Sequence, residues 1–277
     1  MILYFAGAEA FLPLLQEAGA DCLFSYYYIQ SDKRVDLSKV KGRVFLDSGA
    51  FTAMTKGVTI DLNAYAEFVK RVLPFLTVYA NLDVIGDYVK TRENQERMEA
   101  LGLAPMATFH ARSPYEELER MVERYDYIAL GGIARERNKS RLRAHLDNCF
   151  SIVRRKPGLK THAYGLNAWW IWDRYPFYSV DATSYIVGGK YRRLMSFDSK
   201  SRKPRLIGMQ DDEESMMRWR AIVEKYKKLN LRNILSLMEM ARFATRAWKE
   251  RGVDWDAPGA PAVAAPGLAG DSAPGPA

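Results

Sequence analysis

Six apolar runs in this 277-residue chain end in groups able to do chemistry. The first of them closes on "FLDSG" with Asp47, and the next on "ANLDVIGD" with Asp83 and Asp87. "ATFH" follows with His110, "ALGGI" with Gly131 and Gly132, "THAYGL" with His162, Tyr164 and Gly165, and "SVDATSY" with Asp181. Two carboxylates at one mouth can divide labour: one attacks or stabilises an electrophilic carbon, while the other moves a proton to or from the leaving group. Anomeric carbons are the usual target of such a pair, through an oxocarbenium-like transition state. Each residue also has a plainer role. A strand-end Asp can cap the next helix, Gly131-Gly132 can be a tight turn, and Tyr164 can pack the mouth. His110 and His162 read as histidines behind the site or at the edge of the core rather than as catalytic bases. The joint pattern is what points to a site.

Neither a metal nor a cofactor is expected. Carboxylates alone would suit Mg²⁺ or Ca²⁺, and no H-x-H or H-E-x-x-H spacing occurs. The two cysteines, Cys22 and Cys149, are far apart and outside any C-x-x-C spacing, so a disulfide framework and a cysteine-rich zinc site are both excluded. A reducing cytoplasm is the expected compartment, the host's if a phage encodes the chain. The apolar N-terminus lacks a basic leader, breaks at Gly7 and carries Glu9 and Glu17, unlike a signal peptide. No run approaches the roughly 18 to 20 apolar residues of a membrane span.

A net charge of +8 suits a polyanionic partner as well as a solvated surface. Its distribution is uneven: "KYRRLMSFDSKSRKPR", Lys190 to Arg205, holds seven Lys or Arg against one Asp, with Tyr191 and Phe197 interleaved. That composition would serve phosphate contacts and base stacking, or a solvated loop.

Positioning these groups at one place requires strands that end together. Strand candidates are Ile2–Ala6, Cys22–Ile29, Arg43–Asp47, Leu76–Leu82, Pro105–His110, Tyr127–Gly131, Lys160–Gly165 and Tyr178–Asp181. Amphipathic segments lie between most of them, including Leu62–Leu73, Asn94–Leu101 and Pro114–Arg124. Eight alternations predict an α/β fold, a (β/α)8 TIM barrel over residues 1–210 whose chemistry sits at the C-terminal strand edge. A doubly wound sheet is the alternative, weakened because no G-x-G-x-x-G follows the first strand. Residues 211–255 read as basic helices, Asp212–Lys228 and Leu231–Arg251, packed on the barrel. Residues 256–277, almost entirely Ala, Pro and Gly, read as a disordered tail.

The order of the motifs resembles the tRNA-guanine transglycosylase superfamily, most closely its short phage-type members that insert 7-deazaguanine bases into DNA. "LDSGAF" at Leu46–Phe51, "NLDVIGD" at Asn81–Asp87, "ALGGIA" at Ala129–Ala134, "HAYGL" at His162–Leu166 and "SVDATSY" at Ser179–Tyr185 run in family order. The resemblance implies that Asp181 is the nucleophile that displaces guanine from C1′ and that Asp47 is the general acid/base. It implies that Asp83 reads the guanine-like edge, that backbone N–H groups at Gly131 and Gly132 bind the base, and that Tyr164 stacks where the family commonly has methionine. Ser48, Phe51 and Gly165 belong to the same implied base pocket. A target embedded in a polymer must be flipped out to reach such a pocket. Lys190, Arg192, Arg193, Lys200, Arg202 and Lys203 are then the candidates for holding the flanking phosphates.

Two departures bear on the partner. The zinc site of the tRNA enzymes, C-x-C-x-x-C…H, is missing, which favours DNA over tRNA, and the family's F-D-x-x-x-P-T-R is replaced here by "VDATSYIVGG". The expected partners are therefore a nucleic acid, DNA before tRNA, and a preQ0- or preQ1-like 7-deazaguanine, with a homodimer left open. The same exchange on tRNA, a non-catalytic nucleic-acid-binding paralogue and an unrelated carboxylate glycosidase or N-glycosidase are the alternatives.

Overall fold

The computed structural model describes residues 1–255 except 33, 135, 167, 187–189, 192, 199, 202 and 209–218, and describes the backbone alone at 206–208 and 219–226. The proposed phosphate ligands Arg192 and Arg202, the stretch 211–218 and the Ala/Pro/Gly tail lie outside the described residues.

Eight parallel strands form the sheet: β1 (Ile2–Ala6), β2 (Asp21–Ser25), β3 (Val44–Asp47), β4 (Val78–Tyr79), β5 (Ala107–His110), β6 (Tyr127–Gly131), β7 (Lys160–Ala163) and β8 (Ser179–Ala182). Each pairs with its sequence neighbours except across β4 and β5, and β8 returns to β1. The ring closes between β4 and β5 through the parallel bridge Ala80–Met106, where Met106 N donates to Tyr79 O at 2.8 Å. The protein is a (β/α)8 barrel. Its strands are buried on both faces, which is why they read as nearly unbroken apolar runs.

Side-chain alternation sorts the strand residues. Leu3, Phe5, Val44, Leu46, Ile128, Leu130, Val180 and Ala182 face the surrounding helices. Tyr4, Leu23, Phe45, Ala80, Met106 and Ala129 face inward and fill the barrel, with Tyr164 packed against them. Two residues beyond these inward positions, the same period brings Ser25, Asp47 and Gly131 inward at the C-terminal edge, and His110 and Asp181 arrive there on β5 and β8. An apolar floor therefore carries a polar mouth.

The outer layer is α1 (Ala8–Ala18), α2 (Tyr26–Ile29), α3 (Ala50–Thr55), α4 (Leu62–Val72), α5 (Tyr88–Ala100), α6 (Tyr115–Arg124), α7 (Lys139–Val153) and α8 (Trp169–Arg174). Asp61, Asp87 and Asn138 cap α4, α5 and α7, their side chains accepting from the N–H of Ala64, Lys90 and Arg141. Asp87 is therefore a helix cap.

Three local expectations need correction. Cys22–Ile29 is not one strand: β2 stops at Ser25, and Tyr26–Ile29 turns into α2, burying Tyr26 against Tyr65 and Phe68. The basic segment after β8 is not a loop but a hairpin, β9 (Arg193–Asp198) against β10 (Lys203–Gly208). The two expected C-terminal helices merge, among the described residues, into one helix, α9 (Trp219–Glu250), because no Gly or Pro interrupts that span. α9 is clamped to the barrel: Trp248 Nε1 donates to Trp172 O at 2.7 Å, and Arg251 pairs with Asp173 at 2.7 Å. Cys22 and Cys149 are buried free thiols. No helix of the described residues is long and apolar enough to cross a membrane.

Candidate active site

The mouth is built from the ends of β3, β4, β5, β6, β7 and β8. β3 delivers Asp47, and the chain then turns at Gly49 with φ +77°. A side chain there would run into Ser25 Oγ and lie 2.5 Å from Tyr27 Cβ, so only glycine fits. The turn aims Gly49 N–H at Asp47 Oδ2, 3.0 Å away. Gly49→Ala is expected to cost roughly 2–4 kcal/mol, from the left-handed backbone and the overpacking together, read as a lowered denaturation midpoint.

Ser48 is fully buried, and its Oγ donates to Asp83 Oδ1 at 3.3 Å, tying the β3 tip to the β4 loop. Two side chains of α5 hold that loop. Asn94 Nδ2 donates to Leu82 O at 2.8 Å, and Thr91 Oγ1 receives Val84 N–H at 2.9 Å. On its other side Asp83 Oδ2 stands 3.1 Å from His110 Nε2, within reach but not aligned as a hydrogen bond. Asp83 is thus flanked by Ser48 and His110 and is no helix cap.

Asp181, 7% exposed, accepts Gly165 N–H at Oδ1 over 2.8 Å. Gly165 has φ +66°, and a Cβ there would meet Ala134 at 2.9 Å, so the turn that presents this N–H also needs glycine. The structure places Gly165 against Asp181. Gly131 is buried beside Thr108 and His110, and Gly132 follows at φ +74°. Phe51 stands on α3, 41% exposed.

Electrostatics bind the carboxylates into one cluster. Burial first, and then the negative charges of Asp83 and Asp181, push the Asp47 carboxyl up to about 7, against the opposing Gly49 N–H. The Tyr164 hydroxyl is buried without a hydrogen-bond partner. Desolvation and then Asp47, Asp83 and Asp181 hold it well above the usual phenol range. Tyr164 is therefore a neutral donor facing three carboxylates. Among the described residues no group of three or more His, Cys, Asp or Glu side chains has the arrangement of a metal site.

No protein-family model matches this chain, and no curated protein matches it. Solved structures with some likeness include the tryptophan synthase alpha subunit of Campylobacter jejuni, at 15% identity and TM-score 0.45 over 82% of this chain and 94% of that one. A tryptophan synthase of M. tuberculosis gives 11% identity and TM-score 0.43 over 85% and 92%, respectively. The Pyrococcus furiosus alpha subunit gives 11% and 0.43 over 86% and 97%. Likeness at this level says nothing about activity.

Some contributors to the mouth carry no sequence signal of their own. Tyr65 lies in the middle of an amphipathic helix, yet it is fully buried and its hydroxyl donates to Ala80 O at 2.7 Å, fixing the end of β4. Glu9, at the start of α1, has its carboxyl raised by burial and one buried oxygen without a partner. Its place after the first strand was the available clue.

The basic hairpin adds a surface. Lys190, Arg193, Lys200 and Lys203 are exposed, whereas Arg205 is engaged by Asp198 at 3.4 Å. Phe197 is not available for stacking, because it is buried against Trp169 and Phe243 on the inner face of β9. Tyr191, 58% exposed with Lys190 Nζ over its ring, is the aromatic residue left at the surface.

Proposed function

We propose that the barrel mouth is a transglycosylase site that exchanges guanine for a preQ0- or preQ1-like 7-deazaguanine in nucleic acid, DNA before tRNA. The observation that carries this reading is Asp47: a carboxyl brought to about 7 by burial and by Asp83 and Asp181 can both give and take a proton near neutrality. The five ordered motifs support the same assignment.

In this scheme a carboxylate oxygen of Asp181 attacks C1′ as the bond from C1′ to N9 breaks. Asp47 gives its proton to the departing guanine. The incoming base then loses its N9 proton to Asp47 and attacks C1′, which releases the Asp181 carboxylate and leaves the nucleotide with retained stereochemistry. Asp83 accepts from the guanine-like edge, and Tyr164 lies against the base. Gly131 and Gly132 allow close backbone approach.

The test is incorporation of isotope-labelled 7-deazaguanine into guanine-containing DNA and into tRNA, with release of guanine counted in parallel. Label entering DNA with stoichiometric guanine release supports the reading. Label entering tRNA alone moves the substrate to RNA. Guanine released without an incoming base makes the enzyme an N-glycosidase.

Lys190, Arg193, Lys200 and Lys203 are assigned to the flanking phosphates. Changing all four to Ala is expected to weaken DNA binding and to flatten the dependence of log K on log salt by about 0.9 for each phosphate that is no longer neutralised. An unchanged salt slope would make the hairpin an ordinary solvated face.

A further inference from the structure

Behind Asp181, inside the barrel, lies a line of polar side chains. His162 is fully buried on β7, paired through Ala129 and Ser179 to the strands beside it. Its Nδ1 is 2.6 Å from Ser179 Oγ, which in turn is 2.5 Å from the Tyr127 hydroxyl. Its Nε2 stands 3.3 Å from Asp181 Oδ1, close but not aligned as a hydrogen bond. Aromatic rings enclose the imidazole: Tyr164 edge-on at 4.7 Å, Phe45 edge-on at 5.0 Å and Tyr4 at 6.4 Å.

Of the two neutral tautomers, one suits this line. If Nδ1 carried the proton, a bare Nε2 lone pair would face the carboxylate. With Tyr127 donating to Ser179 and Ser179 donating to Nδ1, the proton sits on Nε2, the nitrogen 3.3 Å from Asp181 Oδ1. Burial keeps the Tyr127 hydroxyl protonated, so it is able to donate to Ser179 at the far end of this line.

We propose that His162, oriented by Ser179 and Tyr127, is the positioning residue of Asp181, an inference that rests on Asp181 being the nucleophile. Gly165 N–H donates to Oδ1, and His162 Nε2 stands 3.3 Å from the same oxygen, which leaves Oδ2 as the oxygen that attacks C1′. During the covalent stage Oδ1 is the ester carbonyl oxygen and keeps these donors. When the bond from C1′ to Oδ2 breaks, the same donors stabilise the returning carboxylate. The aromatic contacts restrain the ring, so Nε2 is held beside Asp181 before substrate arrives.

Two measurements test this. The chain has three histidines, so imidazole ¹⁵N spectra of the whole protein contain three rings. His162 is expected as the Nε2–H tautomer, with a resonance that moves in Asp181→Asn. An Nδ1–H tautomer, or a ring indifferent to Asp181→Asn, overturns the proposal whatever the enzyme does.

The second measurement is exchange kinetics. His162→Met is expected to lower kcat about 10–100-fold at unchanged KM, with His162→Gln recovering part of the loss through its amide N–H. Adding Tyr127→Phe to His162→Met should cost nothing further, since both act through one line. A folded His162→Met protein with full kcat overturns the positioning role. Absence of exchange in the unaltered protein would instead overturn the transglycosylase reading and leave the tautomer result to decide the contact between His162 and Asp181.

Discussion

Asp181→Asn is expected to lower base exchange by roughly 10³-fold or more and to abolish any covalent adduct with nucleic acid. The substitution is nearly isosteric. An Asn side-chain oxygen can still accept Gly165 N–H, which Asp181 Oδ1 receives at 2.8 Å, so the β7 turn has no reason to move. What disappears is the second carboxylate oxygen, without which no ester to C1′ forms. Binding of nucleic acid should survive, because the basic hairpin lies outside the carboxylate cluster. Steady-state exchange with a filter-binding control separates the two effects. Full exchange in the variant would mean that Asp181 is not the nucleophile.

Asp47→Asn is expected to do two things at once. Exchange should fall about 10²–10⁴-fold, the usual worth of a positioned acid/base group. Stability should rise, and the rise should depend on pH. The Asp47 carboxyl is raised in the folded protein to about 7, whereas an unfolded Asp titrates near 3.9. A raised carboxyl contributes fully below the unfolded value and loses that contribution as pH climbs through the folded one. The unaltered protein is therefore penalised above pH 7 relative to the Asn variant, and the two should converge near pH 4. About 1.4 kcal/mol per unit sets a ceiling of roughly 4 kcal/mol, and water at the half-buried mouth reduces the expected gain to about 1–2 kcal/mol. Melting temperatures of both proteins at pH 5 and pH 8 measure this directly. Equal differences at the two pH values would mean that Asp47 is not held protonated by its neighbours.

The rate profile follows from the same group. The first half of the exchange needs Asp47 protonated and the second needs it ionised, so the rate should peak near the folded value and fall on both sides. In Asp47→Asn the residual rate should lose that peak.

The barrel was legible because its strands are buried on both faces, so each produced an apolar run with a polar residue where the run met the mouth. Tyr127–Gly131 and Ile2–Ala6 coincide with the predicted spans for that reason. β4 shrank from Leu76–Leu82 to two residues because the barrel closes there by a single bridge, and nothing in the sequence marks a weak seam. Tyr26–Ile29 is apolar and aromatic enough to look like strand, but its burial comes from packing against α4, a tertiary contact that local pattern does not carry. Phe197 has the surroundings of a stacking residue in a basic loop. Once the segment pairs as a hairpin, alternation turns Phe197 inward and Lys203 and Arg205 to the opposite face.

At the site, the carboxylates were legible by type and by position at strand ends, and Asp87 separates from them as a helix cap through its bond to Lys90 N–H. Their supports were not. Ser179, Tyr127 and Tyr65 reach the site from three different strands and helices, and only the closed barrel brings them together.

Covalent capture at Asp181 is tested most directly by the mass of the denatured protein after incubation with guanine-containing DNA or tRNA, followed by peptide mapping. A nucleic-acid adduct is predicted on the peptide that contains Asp181, discharged when 7-deazaguanine is added and missing in Asp181→Asn. An adduct on another residue, or base exchange with no ester at Asp181, would contradict it.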